Sequence, residues 1–66
     1  MTATINGERR EVSDGTTVAA LLRSLGLPGE GVAVAVNGEV VRRAAAERMA
    51  LCDGDVVEII KAVAGG

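Results

Sequence analysis

The residues of this 66-residue chain that could take part in chemistry are few: one thiol, Cys52, nine acidic and seven basic side chains, no histidine, and a sequence that closes on Gly65-Gly66. A terminal glycine is the most usable of these. Its carboxylate has no Cβ beside it and its backbone torsions are loose, so it can pass through a narrow channel into another protein's active site. An α-carboxyl titrates near ~3.5, so at neutral pH it is an anion able to attack an activated phosphate. Chain ends are often simply unconstrained, so two closing glycines do not by themselves separate a chemical handle from a frayed end.

The other candidates are weaker. A lone cysteine cannot form an internal disulfide, and with no histidine a Cys/His zinc site is unavailable, so no metal site is expected. Cys52 could carry sulfur as a persulfide. However, it stands between Leu51 and a turn with no Lys or Arg close in sequence to lower its pKa, which favours a small buried filler. No nucleophile and base stand together in the sequence, and so small a domain leaves little room for a deep pocket, so an enzyme is not expected.

Composition narrows the class further. Sixty-six residues make one domain, which at this size buries only about 60% of its unfolded surface. With 48% apolar and 24% charged residues the chain is of a foldable, globular kind. Phe, Tyr and Trp are absent and the net charge is −2, which argues against nucleic acid, whose bases are gripped by stacking beside basic grooves. Arg9-Arg10 and Arg42-Arg43 are read as solvated decoration. The N-terminus lacks the pattern of a secretory signal, and no run approaches the ~18 apolar residues of a membrane span, so a cytoplasmic protein is expected.

The elements that must hold the end in place follow from pattern. Thr2 to Ile5 alternates, and Asn6-Gly7 favours a type I′ turn into a charged arm, Glu8 to Val12, suited to a sheet edge. Thr16 or Thr17 can cap a helix from about Thr17 to Leu25, whose Val18, Leu21, Leu22 and Leu25 form one stripe. Gly26 and Pro28 close it. Val32, Val34 and Val36 alternate with Ala33 and Ala35, and Asn37-Gly38 turns the chain into Val40-Val41. An alanine-rich piece from Arg42 to Met49 predicts a short helix or 3₁₀ connector. After Asp53-Gly54-Asp55, the β-branched run from Val56 to Val63 reads as a central last strand, with Val57 and Ile59 facing the core.

One helix covers one face of a mixed α+β sheet. The open face should carry Thr2, Thr4, Ala33, Ala35, Ile60 and Ala62, side chains small enough for a partner backbone to lie close. Such a face is either a docking site or the ordinary apolar scatter of a small surface. Ala33, Ala35, Ile60 and Ala62 are the residues singled out for docking.

Two Asn-Gly hairpins around an amphipathic helix, Asp53-Gly54-Asp55 before the last strand, and the Val63-Ala64-Gly65-Gly66 end together closely resemble the ubiquitin-like β-grasp sulfur carriers, in particular those of thiamine biosynthesis. The resemblance covers essentially all 66 residues in length and element order. It implies one β-grasp domain over residues 1–66 with a mobile tail at 63–66, and a protein cosubstrate with no bound cofactor. By the same resemblance an E1-like activating adenylyltransferase, using ATP and Mg, adenylates Gly66. Sulfur drawn from cysteine by a desulfurase system then converts it to a thiocarboxylate, which thiazole synthase consumes. Val63, Ala64 and Gly65 would line the partner's channel, and Asp53-Gly54-Asp55 would only shape the fold. Relatives often place an aromatic residue on the terminal strand or open face, where Ile60 stands in here. A molybdopterin-synthase small subunit, a ubiquitin-like protein modifier and a plain β-grasp interaction module share the fold and stay open at this point.

Overall fold

The computed structural model describes residues 1–27 and 31–61. Among them the elements run β1 (Thr2–Ile5), β2 (Glu8–Glu11), α1 (Val18–Ser24), β3 (Val32–Val36), β4 (Glu39–Val41), α2 (Arg43–Ala46) and β5 (Val56–Lys61). The strands form one sheet in the order β2-β1-β5-β3-β4. β5 is central, parallel to β1 and antiparallel to β3, while β1–β2 and β3–β4 are antiparallel hairpins. The mixed sheet with a helix across one face is the α+β arrangement expected from the pattern and the β-grasp that the resemblance implies.

Both hairpin turns have the type I′ conformation for the reason the dipeptide predicts. Asn6 and Gly7 have φ of 50° and 84°, and Asn37 and Gly38 have φ of 53° and 85°. Asparagine tolerates the left-handed region and glycine enters it freely. The charged β2 is exposed throughout and lies on the sheet edge.

The core follows the two periodicities. Thr17 caps α1, its Oγ1 accepting from the Ala20 amide at 3.1 Å, and Val18, Leu21 and Leu22 are buried against Ile5, Val34, Val36, Val57 and Ile59. Val18 and Val57 are fully enclosed. Leu25 ends the helix as its C-cap and packs at the margin of this core. The alanine-rich connector folds as the four-residue α2, which contributes Ala46 to the core. The start of α1 is fastened to the chain after α2 by Val18 N–H to the Met49 carbonyl (2.9 Å) and Leu51 N–H to the Thr16 carbonyl (2.8 Å).

Cys52 is the correction at this level. It is solvent-exposed, not a buried filler. Its neighbour Leu51 takes the core position, and the Cys52 amide is drawn outward to donate to Asp55 Oδ2 at 2.8 Å. The acidic turn does shape the fold: Asp53 Oδ1 accepts from the Thr2 amide (2.8 Å) and Gly54 N–H donates to the Thr2 carbonyl (2.7 Å), seating the loop on the start of β1.

Candidate functional site

The sequence analysis expects the reactive group at Gly66, after β5, so the candidate site is built from that strand outward. Gly66, Gly65, Ala64 and Val63, together with Ala62 of the docking face, lie outside the described residues, and with Ala62 and Val63 so do the last two residues of the expected strand. What the structure does describe is how β5 is delivered to them. As the middle strand of five, β5 has its first half hydrogen-bonded on both sides.

Each hairpin contributes an unforeseen contact to that strand. The Asn37 amide donates to the Val56 carbonyl at 2.7 Å, so Asn37 stands opposite Val56 in the antiparallel ladder. The reciprocal bond would go to the Asn37 carbonyl, which the type I′ turn has swung away. Its side chain replaces it: Oδ1 accepts from the Val56 amide at 3.0 Å. On the other side the Asn6 amide donates to the Val57 carbonyl at 2.9 Å, and Asn6 Oδ1 accepts from the Ile59 amide at 2.8 Å, in the place its own carbonyl would occupy in a parallel ladder. A left-handed asparagine thus extends the ladder by one bond on each flank of β5. Turn propensity alone does not reveal this. The signal is that each Asn-Gly ends a strand adjacent to the same central strand.

The open face assembles largely as the alternation predicts. Ala33 lies across from Ile60, Ala35 across from Glu58, and Thr4 across from Val56. Ile60 is 66% exposed and Val56 46%. The structure adds Val40, opposite Ala35 and 78% exposed, the most exposed large apolar side chain of the described residues. A two-residue turn at Asn37-Gly38 fixes that pairing, so its place was available from the sequence. Ala33, Ala35 and Ile60 are therefore neighbours on one face, with Glu58 among them. Arg9 stands across from Thr4 and Arg10 across from Ala3, so this arginine pair is split between the two faces and forms no single patch.

A second correction concerns room. A cleft of about 490 Å³ lies between α1, α2 and the β3–β4 hairpin, floored by Leu22, Val34 and Ala46 and edged by the Arg23–Glu47 ion pair at 2.9 Å. The small side chains Ala19 and Ala46, which line it, leave that space between helix and sheet. It holds no thiol and no histidine. Among the described residues no cluster of three or more His, Cys, Asp or Glu is placed to hold a metal ion. None of their helices is long and apolar enough to cross a membrane.

The arrangement is shared with known proteins. The crystal structure of the thiamine biosynthesis protein ThiS from Geobacter metallireducens superposes with a TM-score of 0.85 at 36% identity, covering all of both chains. The sulfur carrier protein ThiS of Thermus thermophilus is 37% identical over 62 residues, 94% of this chain and 95% of that one. A thiazole synthase of Paramagnetospirillum magneticum is 42% identical over all 66 residues, but the chain spans only 20% of that protein's length. The ThiS family model matches residues 3–66. With fold, length and sequence in agreement over essentially every residue, the chain belongs to the ThiS family.

Proposed function

We infer that this chain is the sulfur carrier of thiamine biosynthesis, loaded on the carboxylate of Gly66. The observation that carries the reading is the match to a ThiS sulfur carrier over nearly the full length of both chains. It is a carrier and not a catalyst, so acid, base and metal chemistry belong to its partners.

The chemistry of a glycine carboxylate supports the loading route. The carboxylate is a poor acyl donor. Attack of one of its oxygens on the α-phosphorus of ATP, with Mg in the activating enzyme, expels pyrophosphate and leaves a mixed anhydride with AMP. Hydrosulfide, released from a persulfide of the cysteine desulfurase system by a thiol reductant that is itself oxidised to a disulfide, then adds to the acyl carbon and AMP departs, leaving the thiocarboxylate. An E1-like adenylyltransferase is the partner class that this step requires. Reach supports the same reading: four extended residues, 63–66, span about 13 Å at ~3.3 Å each, enough to cross a partner's wall. Val63, Ala64 and Gly65 are the residues that would occupy the channel.

Thiazole synthase is the proposed recipient of the sulfur. Two proteins named thiazole synthase, from Paramagnetospirillum magneticum and Magnetococcus marinus, carry a region similar to this chain within a fifth of their length, which favours a working association between the two functions. The face bearing Ala33, Ala35 and Ile60 is the proposed docking surface, with small side chains that let a partner's backbone approach, and Ala62, expected to join it, lies outside the described residues.

Incubation with the activating enzyme, ATP and a sulfur source should raise the protein's mass by the difference between sulfur and oxygen, and fragmentation should place the change on Gly66. Full activity after deletion of Gly65-Gly66 would sink the reading in favour of an inert interaction module. A ladder of lysine conjugates in cells would favour a protein modifier. Delivery of sulfur to a molybdopterin synthase large subunit would move the carrier to another pathway.

A further inference from the structure

We propose that the second half of β5 is a main-chain docking edge, at which the Ile59 carbonyl and Lys61 amide hydrogen-bond to an extended segment of the partner that receives the tail. The inference rests on the functional reading above, in which the residues after Lys61 enter a partner.

The argument begins with register. Asn37 N–H to Val56 O makes Val56 a hydrogen-bonded position toward β3, so by strand alternation Glu58 and Ile60 also point their backbone groups at β3. The odd residues point the other way. The Thr4 amide bonds to the Asp55 carbonyl, the Asn6 amide to the Val57 carbonyl, and the Ile59 amide to Asn6 Oδ1. There β1 stops, because the type I′ turn at Asn6-Gly7 leads the chain away into β2, whereas β5 runs on to Lys61. The Ile59 carbonyl and the Lys61 amide therefore face the line that β1 has vacated. No described residue donates to the one or accepts from the other. Asn6 has ended the ladder one bond beyond β1 and left the next acceptor and donor in strand register.

An acceptor and a donor in register on an open strand flank form a template for an added strand. The occupant is set by position. Five residues, 62–66, reach about 16 Å past Lys61 when extended, so a partner whose active site takes Gly66 has the mouth of its channel beside this edge. Main-chain pairing there would extend β5 toward the partner and aim the tail without demanding any particular side chain. That suits a carrier which must enter two different active sites.

Amide exchange on the full chain tests this directly. In the free protein the Glu58, Ile59 and Ile60 amides should be protected and the Lys61 amide should exchange at close to its unprotected rate. Addition of the activating adenylyltransferase, and separately of thiazole synthase, should slow Lys61 at least about tenfold, the effect of one hydrogen bond. Of the backbone groups Lys61→Pro removes only an outward-facing N–H, which a strand edge tolerates, and Lys61→Ala separates this from the loss of the lysine side chain. The proline variant should weaken binding to both partners by about tenfold, whereas Lys61→Ala should change it by less than about twofold. Thermal unfolding of both variants checks that the fold persists. If Gly66 is adenylated in the complex while Lys61 exchange is unchanged, the docking edge is wrong and the carrier reading stands. If Gly66 is never adenylated, the carrier reading itself fails. Concentration-dependent protection of Lys61 in the free protein would mean that copies of this chain pair with each other there, and would overturn the proposal.

Discussion

The two Asn-Gly hairpins flank the same central strand and adopt the same turn, yet they use their asparagines differently. Among the described residues the Asn6 side chain serves only as an acceptor, its Oδ1 taking the Ile59 amide. Asn37 accepts from Val56 through Oδ1 and also donates from Nδ2 to Asp55 Oδ1 at 3.0 Å. Asp55 is held in turn by the Cys52 amide on its other oxygen. The first hairpin therefore meets β5 through one side-chain bond near the strand's outgoing end. The second is part of a closed polar circuit that fixes both the strand's start and the loop before it. The same dipeptide can be a simple ladder extension or a structural lock, according to what lies across from it.

The largest expected effect is at the lock. Asn37→Ala removes an acceptor and a donor and leaves at φ 53° a residue without asparagine's tolerance of the left-handed region. One or two modest hydrogen bonds plus a left-handed alanine sum to about 2 kcal/mol. For a domain of this size that lowers the melting temperature by on the order of 10 °C. Calorimetry or thermal circular dichroism would read it. Next comes Asn37→Asp, which keeps the turn and the acceptor but sets a carboxylate against Asp55 where a donor stood. Both groups are near water, so screening limits the loss to about 1–2 kcal/mol. A sharper form of the same test exchanges the roles: Asn37→Asp combined with Asp55→Asn restores one donor and one acceptor. Stability should return to within about 0.5 kcal/mol of the starting protein, because the asparagine oxygen can still accept from the Cys52 amide. If the double variant were as unstable as Asn37→Asp alone, the circuit would not be what holds this loop.

Much of this architecture is legible from pattern, and the failures have identifiable causes. The stripe Val18, Leu21, Leu22 announces α1 because a 3.6-residue period leaves those positions no other shared face. Val57 and Ile59 are separated from Val56 and Ile60 by period two, and the structure buries the first pair and exposes the second. Cys52 goes the other way because it lies in a loop, where no period applies and the Asp55 carboxylate decides which way its backbone turns. The cleft beneath Arg23–Glu47 depends on the distance between helix and hairpin, which tertiary packing sets and residue order does not display. The asparagine contacts were hidden for another reason. Asn-Gly has a sufficient local explanation as a turn, and only the strand order shows that both turns abut β5. For the proposed site at Gly66, the residue type, together with family resemblance, is the whole of the signal, since Gly66 lies beyond the described residues.

The smallest expected effect is the most discriminating. Asn6→Asp keeps an oxygen for the Ile59 amide and a residue type that tolerates φ 50°, and among the described residues the lost NH₂ group has no hydrogen-bond partner. A charged acceptor strengthens the surviving bond while exposure screens the new charge, so the two changes offset and stability should move by less than about 0.5 kcal/mol. The Ile59 amide should stay protected from exchange. The same substitution at two identical dipeptides then gives a loss at one and almost none at the other. If Asn6→Asp destabilised the protein as much as Asn37→Asp does, the effect would belong to the turn conformation that the sites share. The distinction between ladder extension and lock would then have no energetic content.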